Sequence, residues 1–262
     1  MRKVSSAVLL TACIVALTVL PASSQAGHEK HWGYSDSDET VGPPAWGSLP
    51  NDSVCGIGKE QSPIDLPSSA KLNSSLAAPV FHNRPSAVTI LNNGHTVQVN
   101  LQPGNTITLN GQTYKLAQFH FHAPSEHTVD GKHFPMEIHM VYLNEKDKPA
   151  LVVGLLVQPG GANQALDAVL SHMPQKEGEN IATPGLTVKV GDFLPASRTY
   201  WHYSGSLTTP PCSEGLKWFV MQTPISLSTE QVAAFSSIPH MDHTNRPVQS
   251  LDARQMQLVS GK

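Results

Sequence analysis

Past residue 80 the chain is written in short runs where apolar and polar positions alternate, at 87–91, 96–100, 106–109, 114–122 and 137–144. Such alternation predicts strands with one buried face. The run 151–157 is apolar on both faces and predicts a central strand. Turn residues separate the runs: Asn93-Gly94, Pro103-Gly104, Asn110-Gly111 and Asp130-Gly131. Asn110-Gly111 sits between two alternating runs and predicts a tight hairpin. Helical spacing occurs at 163–172, where Ala165, Leu166, Val169 and Leu170 recur on one side. A second short helix is expected from Ser228, with Gln231 completing a capping box. No linker or repeat divides residues 27–262, so the expectation is a single β-dominated domain (α+β, with few peripheral helices).

Composition narrows the function classes. Charged residues make up 14% of the 262, too few for a disordered chain held open by its own charge. The net charge of −3 gives no basic field, so nucleic acid is not an expected partner. The 21 Pro and 19 Gly are scattered, which favours many turns over long helices. Thirteen His beside 17 Lys plus Arg is the departure that matters most.

Residues 1–26 read as an address. Arg2 and Lys3 precede an apolar run from Val8 to Leu20, shorter than the ~20 residues that span a bilayer. Pro21 ends the run, and Ser24-Gln25-Ala26 offers small residues for cleavage after Ala26, as in a secretory signal peptide. Leu10-Thr11-Ala12-Cys13 also resembles a bacterial lipoprotein box, and a buried N-terminal helix is the plain alternative. Cleavage removes Arg2 and Lys3 and no acidic residue, taking the net charge from −3 to −5. An exported protein, periplasmic or secreted and not integral to a membrane, is expected. The two remaining cysteines, Cys55 and Cys212, then read either as a bridge or as two buried free thiols.

The candidate chemistry lies in the strands. If 114–122 is extended, Gln118, His120 and His122 share one face and Phe119 and Phe121 the other. In 137–144, Glu137, His139 and Val141 share a face, and the stretch between is long enough to bring this strand back antiparallel. Three imidazoles on adjacent strands, with no fourth protein ligand in sight, describe a catalytic zinc site with one open position. Gln118 and Glu137 each precede a ligand by two and are placed to hold its other ring nitrogen. His28, His31 and His133 read as solvated or packing residues, and His127 as a buried hydrogen-bonding residue.

The segment from Gln118 through His120, His122, Ala123-Pro124-Ser125-Glu126-His127 to Gly131 resembles the signature of the α-class carbonic anhydrases, bacterial members included. So do His31-Trp32-Gly33-Tyr34, Gln61-Ser62-Pro63-Ile64-Asp65, Leu91-Asn92-Asn93-Gly94-His95, the run from Tyr200 through Thr208-Thr209-Pro210-Pro211-Cys212, and Asn245-Arg246-Pro247. The motifs keep their order over almost all of 31–258. The resemblance implies an open, ten-stranded, mostly antiparallel twisted sheet with zinc at the bottom of a conical cleft. It implies reversible hydration of carbon dioxide to bicarbonate by attack of a zinc-bound hydroxide. On matching positions His120, His122 and His139 are the ligands, Thr208 the gatekeeper, Glu126 its acceptor and His95 the proton shuttle. Val141, Val152, Leu207 and Trp218 line the apolar pocket, with Thr208 and Thr209 beside them as substrate contacts, and Cys55 and Cys212 match a bridge. Two departures stand out: Thr244 where the family usually has Asn, and Gln98 for an Asn of the proton-transfer water network. Rival readings are a catalytically inactive relative kept as a binding module, or a cupin-type metal protein. Oligomeric state is left open, a homodimer included.

Overall fold

The computed structural model describes residues 30–261 apart from Asp38, Ser74 and Asp147; the leader reading of residues 1–26, Cys13 and His28 lie outside the described residues. Among the described residues one large sheet holds twelve strands: β1 (Val80–His82), β2 (Ser86–Asn92), β3 (Val97–Leu101), β4 (Thr106–Leu109), β5 (Gln112–His122), β6 (Met136–Leu143), β7 (Pro149–Pro159), β8 (Asn180–Ile181), β9 (Thr187–Val188), β10 (Thr199–Ser206), β11 (Glu214–Leu227) and β12 (Gln257–Ser260). The sheet thus has two strands more than the ten expected; two of the twelve, β8 and β9, are two-residue pairings on β2. The main path runs β8-β2-β3-β5-β6-β7-β11-β10-β12, and every pairing is antiparallel except β7 with β11.

The patterned runs became strands within two residues of their expected ends. Asn110 and Gly111 join β4 to β5 with φ of 51° and 78°. Two successive positive φ values are the geometry that an Asn-Gly hairpin turn supplies. The central run became β7, flanked by β6 and β11. Its Leu151, Val153, Leu155 and Val157 enter one core cluster and its Val152 and Leu156 another.

Among the described residues three α-helices are peripheral: α1 (Val54–Ile57), α2 (Gln164–Leu170) and α3 (Thr229–Ser236). Asn163 caps α2 by accepting from the Ala165 N–H. Ser228 and Gln231 form the expected reciprocal capping box on α3. Leu166, Val169 and Phe235 press these helices onto the face that also carries Phe119, Phe121, Ile138 and Met140. The opposite face packs Ile64, Trp201, Tyr203, Leu216 and Trp218, and the cleft opens on this side.

Cys55 and Cys212 are joined as a disulfide across 157 positions of sequence, which resolves the choice between bridge and free thiols. The bridge lies in a third cluster with Trp46, against which Trp32, Tyr34, Val41 and Leu49 pack. Among the described residues no helix is long and apolar enough to cross a membrane.

Candidate metal centre and active-site cleft

The register of β5 and β6 assembles the centre. His120 pairs directly with His139, His122 with Glu137, and Gln118 with Val141. Because side chains alternate, all of these point to the cleft while Phe119, Phe121, Ile138 and Met140 fill the core behind them. The three imidazole rings stand 4.6–5.4 Å apart by centroid. One ring nitrogen from each lies within 4.8 Å of the other two.

The other ring nitrogen of each His meets an oxygen that can only accept. His120 Nδ1–H donates to Gln118 Oε1 at 2.8 Å, His139 Nε2–H to Glu137 Oε1 at 2.9 Å, and His122 Nδ1–H to the Thr244 carbonyl. These bonds fix the tautomers and leave three lone pairs turned toward one another. Buried His122 Nε2 has no hydrogen-bond partner, and neither has Glu126 Oε2, which lies 3.6 Å from it and 3.7 Å from His139 Nδ1. Unpartnered buried polar atoms gathered around converging imidazole nitrogens fit a divalent cation with nitrogen ligands.

Electrostatics agree. Burial, and then the neighbouring His122 and His139 rings, hold His120 well below the ordinary imidazole value. Burial also lowers His122, against the pull of Glu126. Burial works the same way on His139, but Glu137, by charge and hydrogen bond, outweighs it and raises that ring. Two of the rings therefore favour the neutral form a metal needs, and the third keeps its Nε2–H as a donor to a carboxylate that stays ionised.

Glu137 organises the floor of the site. Its Oε2 accepts the backbone N–H groups of Glu126 and His127, and its Oε1 accepts from His127 Nδ1 as well as His139. Burial would raise its carboxyl, but His127 and His139 hold it well below the usual carboxylate range. Gly154 stands opposite His139 on β7, and a Cβ there would meet Glu137 Oε1 at 2.9 Å, so the carboxylate needs glycine as its neighbour. His127 also bonds Tyr203 through Nε2. It is wholly engaged in this network, as expected of a buried hydrogen-bonding residue.

Above the floor is a cleft of about 170 Å³. Its wall brings together Val141, Val152, Leu207, Thr208, Thr209 and Trp218 with the three His and Gln118. One expected contact is not formed: no hydrogen bond joins the Thr208 hydroxyl to Glu126. Glu126 Oε1 accepts the Arg246 backbone N–H at 2.9 Å, and its Oε2 is turned toward the ligand rings.

His95 lies at the rim. Asn93 Oδ1 accepts the N–H groups of both His95 and Thr96, and Gly94 takes φ of +85°, making the turn that presents the ring. The imidazole stacks on Trp32 at 3.6 Å and 16°. Trp32 in turn packs edge-on against Trp46 beside the disulfide. Gln98 lines the cleft with its amide bonded to Asn100.

Pattern reading assigned no role to Tyr34, Trp32 or the Arg246 side chain. Tyr34 lines the cleft with a buried, unpartnered hydroxyl, pushed well above its ordinary value by burial and then by Glu126. Arg246 is buried, and its guanidinium donates to Gln61 Oε1 and to the Ser62 and Cys55 carbonyls. The one available signal was a charged residue between Asn and Pro near the end of an otherwise charge-poor chain.

Comparisons with known proteins agree with this geometry. Residues 41–260 match the family model of the eukaryotic-type carbonic anhydrases. A carbonic anhydrase of Pectobacterium carotovorum is 41% identical over 255 residues, covering 96% of this chain and 97% of that protein. One from Neisseria gonorrhoeae is 40% identical over 252 residues, covering 95% and 94%. Among solved structures, the α-carbonic anhydrase of Thermovibrio ammonificans in complex with the inhibitor sulfanilamide superposes with a TM-score of 0.81 at 40% identity, over 88% of this chain and 99% of that one.

Proposed function

The chain belongs to the eukaryotic-type carbonic anhydrase family, and on that premise we infer how its own residues carry out the family's reaction. It is a carbonate dehydratase, interconverting carbon dioxide with bicarbonate and a proton. One observation carries the assignment of the centre: three imidazoles whose distal nitrogens are each held by an oxygen acceptor while the proximal ones converge. We assign zinc to His120 Nε2, His122 Nε2 and His139 Nδ1. When bound, zinc supplies the Lewis acidity that lets water ionise near neutral pH, as it does in this family.

The remaining steps belong to side chains. Val141, Val152, Leu207 and Trp218 offer an apolar wall to a substrate without a net dipole, which binds weakly there and exchanges quickly. Glu126 Oε2 is buried without a partner, so it is the acceptor we assign to the Thr208 hydroxyl once the site is loaded. That bond leaves the Thr208 oxygen free only to accept, which orients the attacking oxygen toward the wall. The proton then leaves through His95, whose ring can take it up and turn it out to solvent. Burial lowers His95 from the ordinary value, which suits a group that must release as readily as it accepts.

A catalytically inactive relative would be expected to lack a ring of the triad, and here all three stand in register. For residues 1–26 we propose an export leader and a periplasmic location; the disulfide supports it, since such bonds persist in oxidising compartments.

Stopped-flow hydration of carbon dioxide tests the reading. The zinc-loaded protein should be active, lose activity to a chelator and regain it with added zinc. Activity indifferent to the chelator, or none in zinc-loaded protein, contradicts it.

A further inference from the structure

Behind His95, on the side away from the metal centre, a second cleft of about 700 Å³ opens to solvent. It shares Trp32, Tyr34 and His95 with the first, so the imidazole is the partition between the two. The charged and titratable groups lining this cleft beside His95 come from three segments: His31, Tyr34 and Glu39; Glu177; and His240, Asp242 and His243. Asp242 and His243 pair with each other at 3.2 Å.

Glu177 differs from the rest in that its loop is tied to the strand end leading into the turn that bears His95. Its loop is tied to the end of β2 by backbone bonds from Gly178 N to the Asn92 carbonyl and from Asn92 N to the Glu179 carbonyl, and by the Asn92 side chain on the Pro174 carbonyl. A Cβ placed on Gly94 would meet both Cδ and Oε1 of Glu177 at 2.7 Å. The carboxylate therefore lies directly over Gly94, next to His95. Gly94 is required by its φ of +85°.

We infer that Glu177 is a positioning residue for the His95 relay, its carboxylate held near Gly94 by its loop as a counter-charge on the solvent side of the ring. The inference rests on the assignment of His95 as the relay. Burial lowers the affinity of His95 for a proton, the Glu177 carboxylate raises it, and His31 opposes Glu177. The carboxylate thus offsets part of the burial cost and draws the proton to the outer side of the partition.

The test uses Glu177→Gln and Glu177→Asp in the full protein. NMR titration of the His95 ring needs no metal and reads the effect directly. The midpoint should fall to lower pH in Glu177→Gln, recover in Glu177→Asp, and differ less between variants at high salt, because an exposed charge is screened. With zinc present, turnover at saturating carbon dioxide in weak buffer should fall about two- to threefold in Glu177→Gln, the size expected for an exposed pair, while kcat/KM holds. A His95 midpoint unmoved in Glu177→Gln overturns the inference even if His95→Ala slows turnover. If His95→Ala leaves turnover in weak buffer unchanged, the relay assignment itself has failed.

Discussion

The floor of the cleft and its rim are built on opposite plans. On the floor, His122, Glu126, His127, Glu137 and His139 are all about 1% exposed or less, set by the register of β5 and β6. Each ligand ring is held at one nitrogen by an acceptor fixed in the sheet or, for His122, by a backbone carbonyl. At the rim, His95 is half-buried on an Asn-Gly turn and held by stacking on Trp32. The difference follows the chemistry. A metal with neutral ligands needs geometry that does not relax, which paired strands supply. A proton relay must alternate between an inner and an outer partner, so a turn with one stacking surface suits it better than a sheet.

Damage to the floor should therefore cost far more than damage to the rim. Replacing one ligand is the most severe test: His139→Ala leaves two rings on one strand, and both zinc binding and hydration should fall to background by metal analysis and stopped flow. Thr208→Ala probes orientation without touching a ligand. Hydration should drop by about 10²-fold, as when one pre-aligned donor is lost from a catalytic site, with zinc content unchanged. An equal loss of metal would make Thr208 structural.

Glu137→Gln sharpens the comparison, because it keeps the shape of the floor and removes acceptors. Glu137 accepts from two backbone N–H groups and two imidazoles, and an amide presents N–H groups to one of those pairs. Zinc affinity should weaken about 10–100-fold in competition with a chelator. The variant should also lose the acid-side dependence Glu137 gives the parent. The depressed carboxyl contributes stability that is present above the ordinary carboxylate range and lost as pH falls through its lower folded value. Comparing denaturation midpoints of parent and variant from neutral to acid pH checks that sign.

At the rim the effect should be smallest. His95→Ala should slow turnover in weak buffer by about tenfold, below the usual general acid–base range because buffer partly substitutes. Added imidazole should restore it. Because burial lowers His95, the relay limb of the kcat profile in the parent should lie on the acid side of a free imidazole.

The same contrast explains what could be read from the chain alone. The floor was legible because alternation within 118–122 and 137–141 assigns faces without any knowledge of the rest of the fold. The strands β2 to β7 were legible for that reason too. What pattern could not reach was contact across long separations. The Arg246 N–H bond to Glu126 spans 120 positions, and the Thr244 carbonyl that holds His122 spans 122. Strands β10 and β11 also escaped pattern reading. In β10 aromatic residues serve two different cores, and β11 carries a bulge at Gly215, opposite Gly205 and Ser206 of β10, that interrupts their pairing. The placement of the Glu177 loop depends on its crossing to β2, which no local period announces.

The claim beneath all of this is that three neutral imidazoles alone among the side chains hold the metal. X-ray absorption at the zinc edge of the loaded protein measures that directly. A four-coordinate shell of three imidazole nitrogens at about 2.0–2.1 Å and one oxygen not supplied by the protein is expected. In His139→Ala that shell should be lost along with bound zinc. A shell containing Glu126 or Glu137 oxygen, or zinc retained with unchanged coordination in His139→Ala, would contradict it.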